Sequence, residues 1–170
     1  MAVVSDYIID TNVWMAASGN ATCNDSCMRA CLEFLEMLRQ TGASVVIDTE
    51  DNPPGNSVLG ELRRNLREGD YAHDLFWGHF FNQWLITPVA LCYDSAGAVI
   101  PGGIVINQKE PDGTTIPFEP NDRKWIALYL AHGSTSPIYN ATDSDWEKAR
   151  ADLLKHRIEV HQLCTGDHIE

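Results

Sequence analysis

Residues 7–10 read YIID and residues 44–48 read SVVID, two short apolar runs that each end on an aspartate. Short runs rich in β-branched residues are typical of buried strands. Between the two runs, apolar side chains recur at helical spacing, and Asn24 or Asp25 can cap a helix that continues to about Gln40. A strand, a helix and a second strand in this order predict a parallel sheet with helices packed against it.

The remainder of the chain continues this alternation of helical and extended patterns. Helices are predicted over about residues 56–67, 71–85, 121–131 and 144–155, and strands over 138–142 and 158–163. We therefore expect a single domain over residues 1–170, folded as a three-layer α/β/α sandwich around a mostly parallel central sheet. The stretch 86–118 is different, because its glycines and prolines predict an irregular insertion with a hairpin near residues 95–97.

The composition narrows the class of protein. With 170 residues and a hydrophobic fraction of 44%, the chain can bury a core of its own. It has no apolar run long enough to cross a bilayer and no basic lead of a secretory signal, so we expect a cytoplasmic protein without a membrane partner. The formal net charge of −12 argues against a nucleic-acid coat protein, but it suits carboxylates that hold metal or a surface for a basic partner.

Three of the five cysteines, Cys23, Cys27 and Cys31, recur at one-turn spacing and would share one face of a helix. They could bind a soft metal, but a fourth ligand is not apparent near them in the sequence. Because Cys92 and Cys164 are isolated, we expect core packing of small apolar side chains and no disulfide framework.

Three predicted strands end on an aspartate or run into one, at Asp10, Asp48 and Asp143. The carboxyl ends of parallel strands meet at one edge of a sheet, where ligands of open α/β sheets bind. Carboxylates held close together repel one another unless some are protonated or a cation lies between them, and Mg²⁺ prefers such oxygen ligands. The alternative interpretation is that each aspartate forms a turn or caps a helix.

The residues Asp10-Thr11-Asn12, directly after an apolar strand, resemble the opening motif of the PIN-domain nucleases, which are similar to the 5′-nuclease superfamily and include many bacterial toxins. The later acids of that family pattern are matched by Glu61 in VLGELRRNL, Asp122 in FEPNDRKWIALYLA and Asp143 in NATDSDW, with Asp145 in the accessory acidic position. The matches run in order over most of the chain. The departures are the long stretch 86–118 and Asp48, which is not a core acid of the pattern.

This resemblance implies a PIN-like fold and a metal-dependent endoribonuclease that hydrolyses RNA phosphodiester bonds. Its catalytic acids, which would also bind Mg²⁺ or Mn²⁺, would be Asp10, Glu61, Asp122 and Asp143, with Asp145 as a further metal ligand. Thr11 and Asn12 would orient Asp10 by hydrogen bonding. An antitoxin, another protein or a second copy of the chain would be its partner.

Five cationic side chains stand near the predicted acids and either hold phosphates or form a solvated helix face: Arg63, Arg64, Arg67, Arg123 and Lys124. The aromatic segment 76–84 likewise fits either core packing or contact with a base or a partner. Three other functions stay open: a non-catalytic PIN-like scaffold that binds a protein, a metal-dependent deoxyribonuclease and a metal-dependent phosphatase. A haloacid-dehalogenase-type phosphatase would need an aspartate where this chain has Asn12.

Overall fold

A computed structural model of the chain describes residues 5–48, 57–91, 104–133 and 136–164. Seven strands lie in these ranges: β1 Asp6–Ile9, β2 Ser44–Asp48, β3 Ile86–Val89, β4 Asn107–Lys109, β5 Thr115–Pro117, β6 Ile138–Asn140 and β7 Val160–Gln162. Five of them form one sheet in the order β3-β2-β1-β6-β7, and every pairing in it is parallel. The predicted parallel central sheet is confirmed, and the chain winds outward from β1 in both directions.

The helices of the described residues connect these strands. They are α1 Thr11–Ala17, α2 Asp25–Thr41, α3 Val58–Asn65, α4 Tyr71–His73, a π-helix Asp74–Phe81, a 3₁₀ turn Pro120–Asp122, α5 Arg123–His132 and α6 Ser144–Lys155. Helix α2 has the predicted cap, since Asn24 Oδ1 accepts a hydrogen bond of 2.9 Å from Cys27 N. It ends at Gly42, whose φ of 68° is a left-handed conformation that glycine adopts readily.

Both faces of the central sheet are covered. Successive side chains of a strand point to opposite faces, and Ile8 and Ile9 of β1 are both buried, as are all five residues of β2. Helix α5 packs on β1, β2 and β3, and α1 packs on α2 and β6. This arrangement is compatible with an α/β/α sandwich. None of the helices in the described ranges is both long and apolar enough to cross a membrane.

The structure corrects the prediction for residues 86–118. The stretch begins with β3, an edge strand of the central sheet, and Pro88 is tolerated there because the outer side of an edge strand makes no ladder hydrogen bonds. Its described part also holds the antiparallel hairpin β4–β5, which packs on α6. The hairpin predicted near residues 95–97 lies outside the described residues.

Two features of the helices were not predicted from the sequence. Helix α1 directly follows β1 and is capped by Asp10, but its seven residues are too few for a clear period in the sequence. A 3₁₀ turn that contains Asn121 leads into α5. By contrast, Asp143 caps α6 as predicted, with its Oδ1 accepting from Asp145 N at 2.9 Å.

Cys27 and Cys31 pack in the core as expected, but the expectation that the cysteines form no disulfide is wrong. Cys164 forms a disulfide with Cys27, and the two residues are 137 positions apart in the sequence. Cys164 follows β7 and meets the first turn of α2 only because the fold places these two segments together. Sequence spacing carries no signal for such a long-range pair.

Candidate functional site

Asp10 and Asp143 lie at the carboxyl ends of two neighbouring strands. Asp10 directly follows β1 and Asp143 follows β6 by three residues, and these strands pair in parallel. Each aspartate caps the helix that comes next, so its carboxylate is held at the strand–helix junction. Sheet topology therefore places both at the edge where α/β proteins bind ligands.

Glu61 interacts electrostatically with Asp10, and Asp122 interacts with both Asp10 and Asp143. The pKa of Asp10 is raised to about 7, first because the group is buried and then because Glu61 and Asp143 lie near it. The pKa of Asp122 is raised to about 8 by burial, then by Asp10, Asp143 and Glu61. Burial also raises the pKa of Asp143. The four acids singled out in the sequence come from four separate segments of chain, and three of them act electrostatically on the fourth, Asp122; we call them the acid cluster.

A buried cation lies within the acid cluster. Lys124 is only 4% exposed, and its ammonium forms an ion pair with Glu61 and donates a 2.6 Å hydrogen bond to the Asn121 carbonyl. Because its attraction lowers the pKa of Asp122, it offsets part of the repulsion among the acids. This side chain was predicted as a phosphate ligand, but its ammonium is already held by Glu61.

The donor set fits a hard divalent cation better than a soft one. The cluster consists of carboxylates, whose oxygens are the ligands that hard divalent cations prefer. The pKa values of Asp10 and Asp122 are raised because the positive charge near these two carboxylates is too small to offset burial and their acidic neighbours. In the described part of the chain, no three of these acids have carboxylate oxygens that all lie within 4.8 Å of one another. Among the described residues, the group of three ligand-type side chains whose ligand atoms all lie within 4.8 Å of one another is made of cysteines.

Trp146 holds Asp10 in place. Its indole Nε1 donates to Asp10 Oδ2 at 3.0 Å, and its ring meets Phe118 edge-on with centroids 4.9 Å apart. Phe118 N in turn donates to the Ile106 carbonyl, so the hairpin region of residues 104–118 supports the ring that binds Asp10. The contact of Trp146 with Asp10 was not predicted from the sequence, and its place in the first turn of α6 was the available signal.

A second set of contacts fixes the β1–β6 junction. Asn12 N donates to Asp10 Oδ1 at 3.2 Å, while the Asn12 side chain bonds with Asn140 and accepts from Ala141 N at 2.9 Å. Asn12 therefore orients Asp10 through its backbone N–H, while its side chain binds elsewhere. The predicted role of Asn12 is confirmed only in part. The Thr11 hydroxyl is buried without a hydrogen-bond partner among the described residues, so it does not orient Asp10.

Asn140 was missed in the sequence, although it ends β6 just as Asp10 follows β1. It is fully buried, and its Nδ2 donates to Gln162 Oε1 at 2.7 Å and to the Asp143 carbonyl at 3.2 Å. Gln162 of β7 also donates to that carbonyl at 3.3 Å. A polar residue that ends a buried strand was the signal that could have identified it.

Asp145 stands beside the cluster and is paired with a cation. Lys148 Nζ lies 3.0 Å from Asp145 Oδ1, and Gln108 Nε2 of β4 lies 3.4 Å from the same oxygen. Its charge contributes to the raised pKa of Asp143, so it is close enough to act on the site electrostatically. Its assignment as a further metal ligand stays a prediction.

Asp48 has a structural role that the sequence left open. It is 1% exposed, and its two oxygens accept hydrogen bonds from Val58 N at 2.7 Å and from Leu59 N at 3.0 Å. These amides open α3, the helix that carries Glu61. Ser57 is the N-cap residue of α3, and Asp48 adds to that cap from the end of β2, so it helps to position one member of the cluster.

The remaining cationic predictions divide into exposed and tethered side chains. Arg64 and Arg67 are exposed, and the Arg63 guanidinium lies 5.8 Å from the centroid of the Trp77 ring. Arg123 donates twice to the Phe118 carbonyl, at 3.0 and 3.1 Å. Phosphate binding by these arginines stays a prediction.

In the aromatic segment, Phe76 and Phe80 are fully buried and stack edge-on against Trp14, as core packing requires. Trp84 at the end of the segment is 83% exposed.

Comparison of the chain with family models, curated proteins and solved structures finds no match. A function for this chain is therefore argued from the chemistry of its acid cluster and from the order of the motif residues along the sequence.

Proposed function

We propose that this protein is a metal-dependent nuclease with a PIN-like fold that hydrolyses RNA. The observation that supports it best is the acid cluster at the carboxyl edge of a parallel sheet, where Glu61 and Asp143 raise the pKa of Asp10, and Asp10, Asp143 and Glu61 raise that of Asp122. Holding one buried and three partly buried carboxylates near one another is unfavourable for folding, and a cation-binding function explains why a fold would contain them.

Asp10, Glu61, Asp122 and Asp143 would hold one or two Mg²⁺ or Mn²⁺ ions, with Asp145 beside them. When bound, such an ion lowers the pKa of a coordinated water and neutralises charge on a phosphodiester. The protein's own contribution is orientation. Asp10 is held by Asn12 N and Trp146 Nε1, and Asp143 is fixed at the start of α6.

Lys124 has a defined part in this proposal. Its ammonium neutralises the charge of Glu61 in an ion pair. If a cation took the place of the ammonium at Glu61, Lys124 would be free to bind a phosphate oxygen. Substrate and cation would then replace an internal ion pair. The net charge of −12 implies that such local cations are needed to bring a polyanion to the site.

The Lys124–Glu61 ion pair also favours a second candidate function. A cluster whose charge is partly compensated by its own lysine can persist in a non-catalytic scaffold that binds a protein partner. Such a partner would be an antitoxin-like protein or a second copy of the chain, and the exposed Trp84 offers it an aromatic anchor.

The test is cleavage of end-labelled RNA and DNA of identical sequence in Mn²⁺, with and without EDTA. Wild type should cut RNA only in Mn²⁺, and Asp143→Asn should be inactive. Glu147→Gln is the matched control, because it neutralises an exposed acid on the same helix that pairs with Arg150. Equal cutting by wild type and Asp143→Asn would indicate a contaminant and remove the catalytic proposal. Preferential cutting of DNA would show that DNA and not RNA is the substrate. Release of only the terminal phosphate would indicate a phosphatase.

A further inference from the structure

The buried sulfurs of Cys27, Cys31 and Cys164 form a second cluster that uses none of the acids. Their ligand atoms all lie within 4.8 Å of one another, and the three residues are no more than 8% exposed. Cys27 and Cys164 are joined as a disulfide, and the Cys31 sulfur lies 3.8 Å from that of Cys164. We call these three residues the sulfur cluster.

We propose that the sulfur cluster binds one Zn²⁺ ion when its disulfide is reduced, with Cys23 as the fourth ligand. Zinc bound by four thiolates is tetrahedral with bonds of about 2.3 Å, which separates neighbouring sulfurs by about 3.8 Å. The Cys31–Cys164 distance of 3.8 Å equals this separation. Opening the disulfide allows the Cys27 sulfur to move to a similar distance.

The positions of the ligands favour thiolates. Cys27 lies in the first turn of α2, where the helix dipole stabilises negative charge. Cys23 lies just before that helix, and its charge acts on Cys31.

A dithiol reductant opens the disulfide before zinc binds. A dithiol donates two electrons and two protons to the Cys27–Cys164 disulfide, which becomes two thiols while the reagent becomes a cyclic disulfide. Zinc then displaces one proton from each of the four thiols. The oxidised protein has no such site, because two of the four sulfurs are bonded to each other.

The test titrates the full chain with Co²⁺, a spectroscopic probe for zinc sites, before and after reduction and anaerobic removal of the dithiol. Reduced wild type should bind one Co²⁺ with thiolate charge-transfer bands and the intense visible bands of tetrahedral cobalt, and added Zn²⁺ should abolish them. Oxidised protein should show none of these bands. Absence of the bands in the reduced, folded protein would overturn the proposal.

Cys31→Ser is the decisive variant, since it removes a ligand and leaves the Cys27–Cys164 disulfide intact. It should lose the bands, whereas Cys92→Ser, which removes the cysteine outside the four, should keep them. Cys23→Ser, a change outside the helix, should weaken Co²⁺ binding, so the test does not depend on one variant folding. Unchanged spectra in Cys31→Ser and Cys23→Ser would contradict the ligand assignment. Asp10→Asn should retain the bands, which separates this proposal from the nuclease.

Discussion

The two ends of strand β1 carry aspartates in opposite environments. At its start, Asp6 accepts hydrogen bonds from Ser44, from Thr87 at 2.9 Å and from His132, whose Nε2 lies 2.9 Å away. Just after its end, Asp10 has two donors, Asn12 N and Trp146 Nε1, and faces other acids. Burial raises the pKa of both, but at Asp6 the hydrogen bonds outweigh it and the pKa is lowered.

The comparison distinguishes a structural acid, Asp6, from the acid for which we propose a function, Asp10. Asp6 has enough hydrogen-bond donors to remain ionised, so it ties β1 to the neighbouring strand β2, to β3 beyond it and to the end of α5. Asp10 has a pKa raised to about 7 and lacks compensating charge, which a divalent cation would supply. The two aspartates at the ends of β1 therefore differ because their hydrogen-bond donors and charged neighbours differ.

The largest expected effect is on cleavage of RNA. Asp10→Asn should reduce the rate at least about a hundred-fold, the scale on which one electrostatic group at a reacting centre acts. Asp6→Asn, at the other end of the same strand, should change it less than about threefold once the protein is shown to be folded. Single-turnover cleavage in Mn²⁺ measures both. A comparable loss in both variants would mean that the two ends do not differ in function.

In the absence of metal, the aspartates at the two ends of β1 should make the free energy of unfolding depend on pH in opposite directions. Asp10 and Asp122 have folded pKa values of about 7 and about 8 against 3.8 in the ordinary state, so the folded protein retains their protons longer. Their contribution is therefore present at low pH and is lost as pH rises from about 4 to about 8, by roughly 2 kcal/mol or more. Asp6, with a lowered pKa, contributes above pH 3.8 and loses its contribution as pH falls.

Urea unfolding in EDTA between pH 3 and pH 9 checks this dependence. Asp10→Asn should flatten the decline above about pH 5, and Asp6→Asn should flatten only the acid limb. A wild-type curve that matches that of Asp10→Asn at every pH would contradict the raised pKa of Asp10.

A smaller effect is expected from Trp146→Phe, which keeps an aromatic ring against Phe118 and removes the donor to Asp10. It should lower the free energy of unfolding by about 1–2 kcal/mol and reduce cleavage roughly ten-fold. Trp125→Phe is the matched control, because Trp125 is also fully buried but its indole nitrogen has no partner among the described residues. Equal effects of the two substitutions on cleavage would show that the hydrogen bond to Asp10 is unimportant.

The smallest effect concerns the hydrogen bonds of Asp6. Thr87→Val removes the hydroxyl that donates to it at 2.9 Å and should cost about 1 kcal/mol of unfolding free energy, with cleavage unchanged. Thr115→Val, on the exposed strand β5, should cost less than half as much. Loss of cleavage in Thr87→Val without loss of stability would place Asp6 in the functional site.

Local pattern was sufficient for the elements that carry a clear period or cap. Helix α2, strand β2 and the cap at Asp143 follow directly from neighbouring residues, and the resemblance to the PIN-domain pattern singled out the four acids. The contacts that define the environment were not predictable. Lys124 with Glu61, Trp146 with Asp10 and Cys27 with Cys164 join residues whose meeting depends on the tertiary fold. Strand β3 was missed because Pro88 in the middle of its four residues signals an interruption.

The most direct test of the central claim is the effect of Mn²⁺ on thermal unfolding of wild type, Asp10→Asn and Asp6→Asn. A cation at about a hundred times its dissociation constant should stabilise wild type and Asp6→Asn by about 2.7 kcal/mol and raise both melting temperatures. Asp10→Asn should melt at the same temperature in Mn²⁺ and in EDTA. An equal Mn²⁺-dependent rise in all three proteins, or none in wild type, would contradict the assignment of the acid cluster as a metal site.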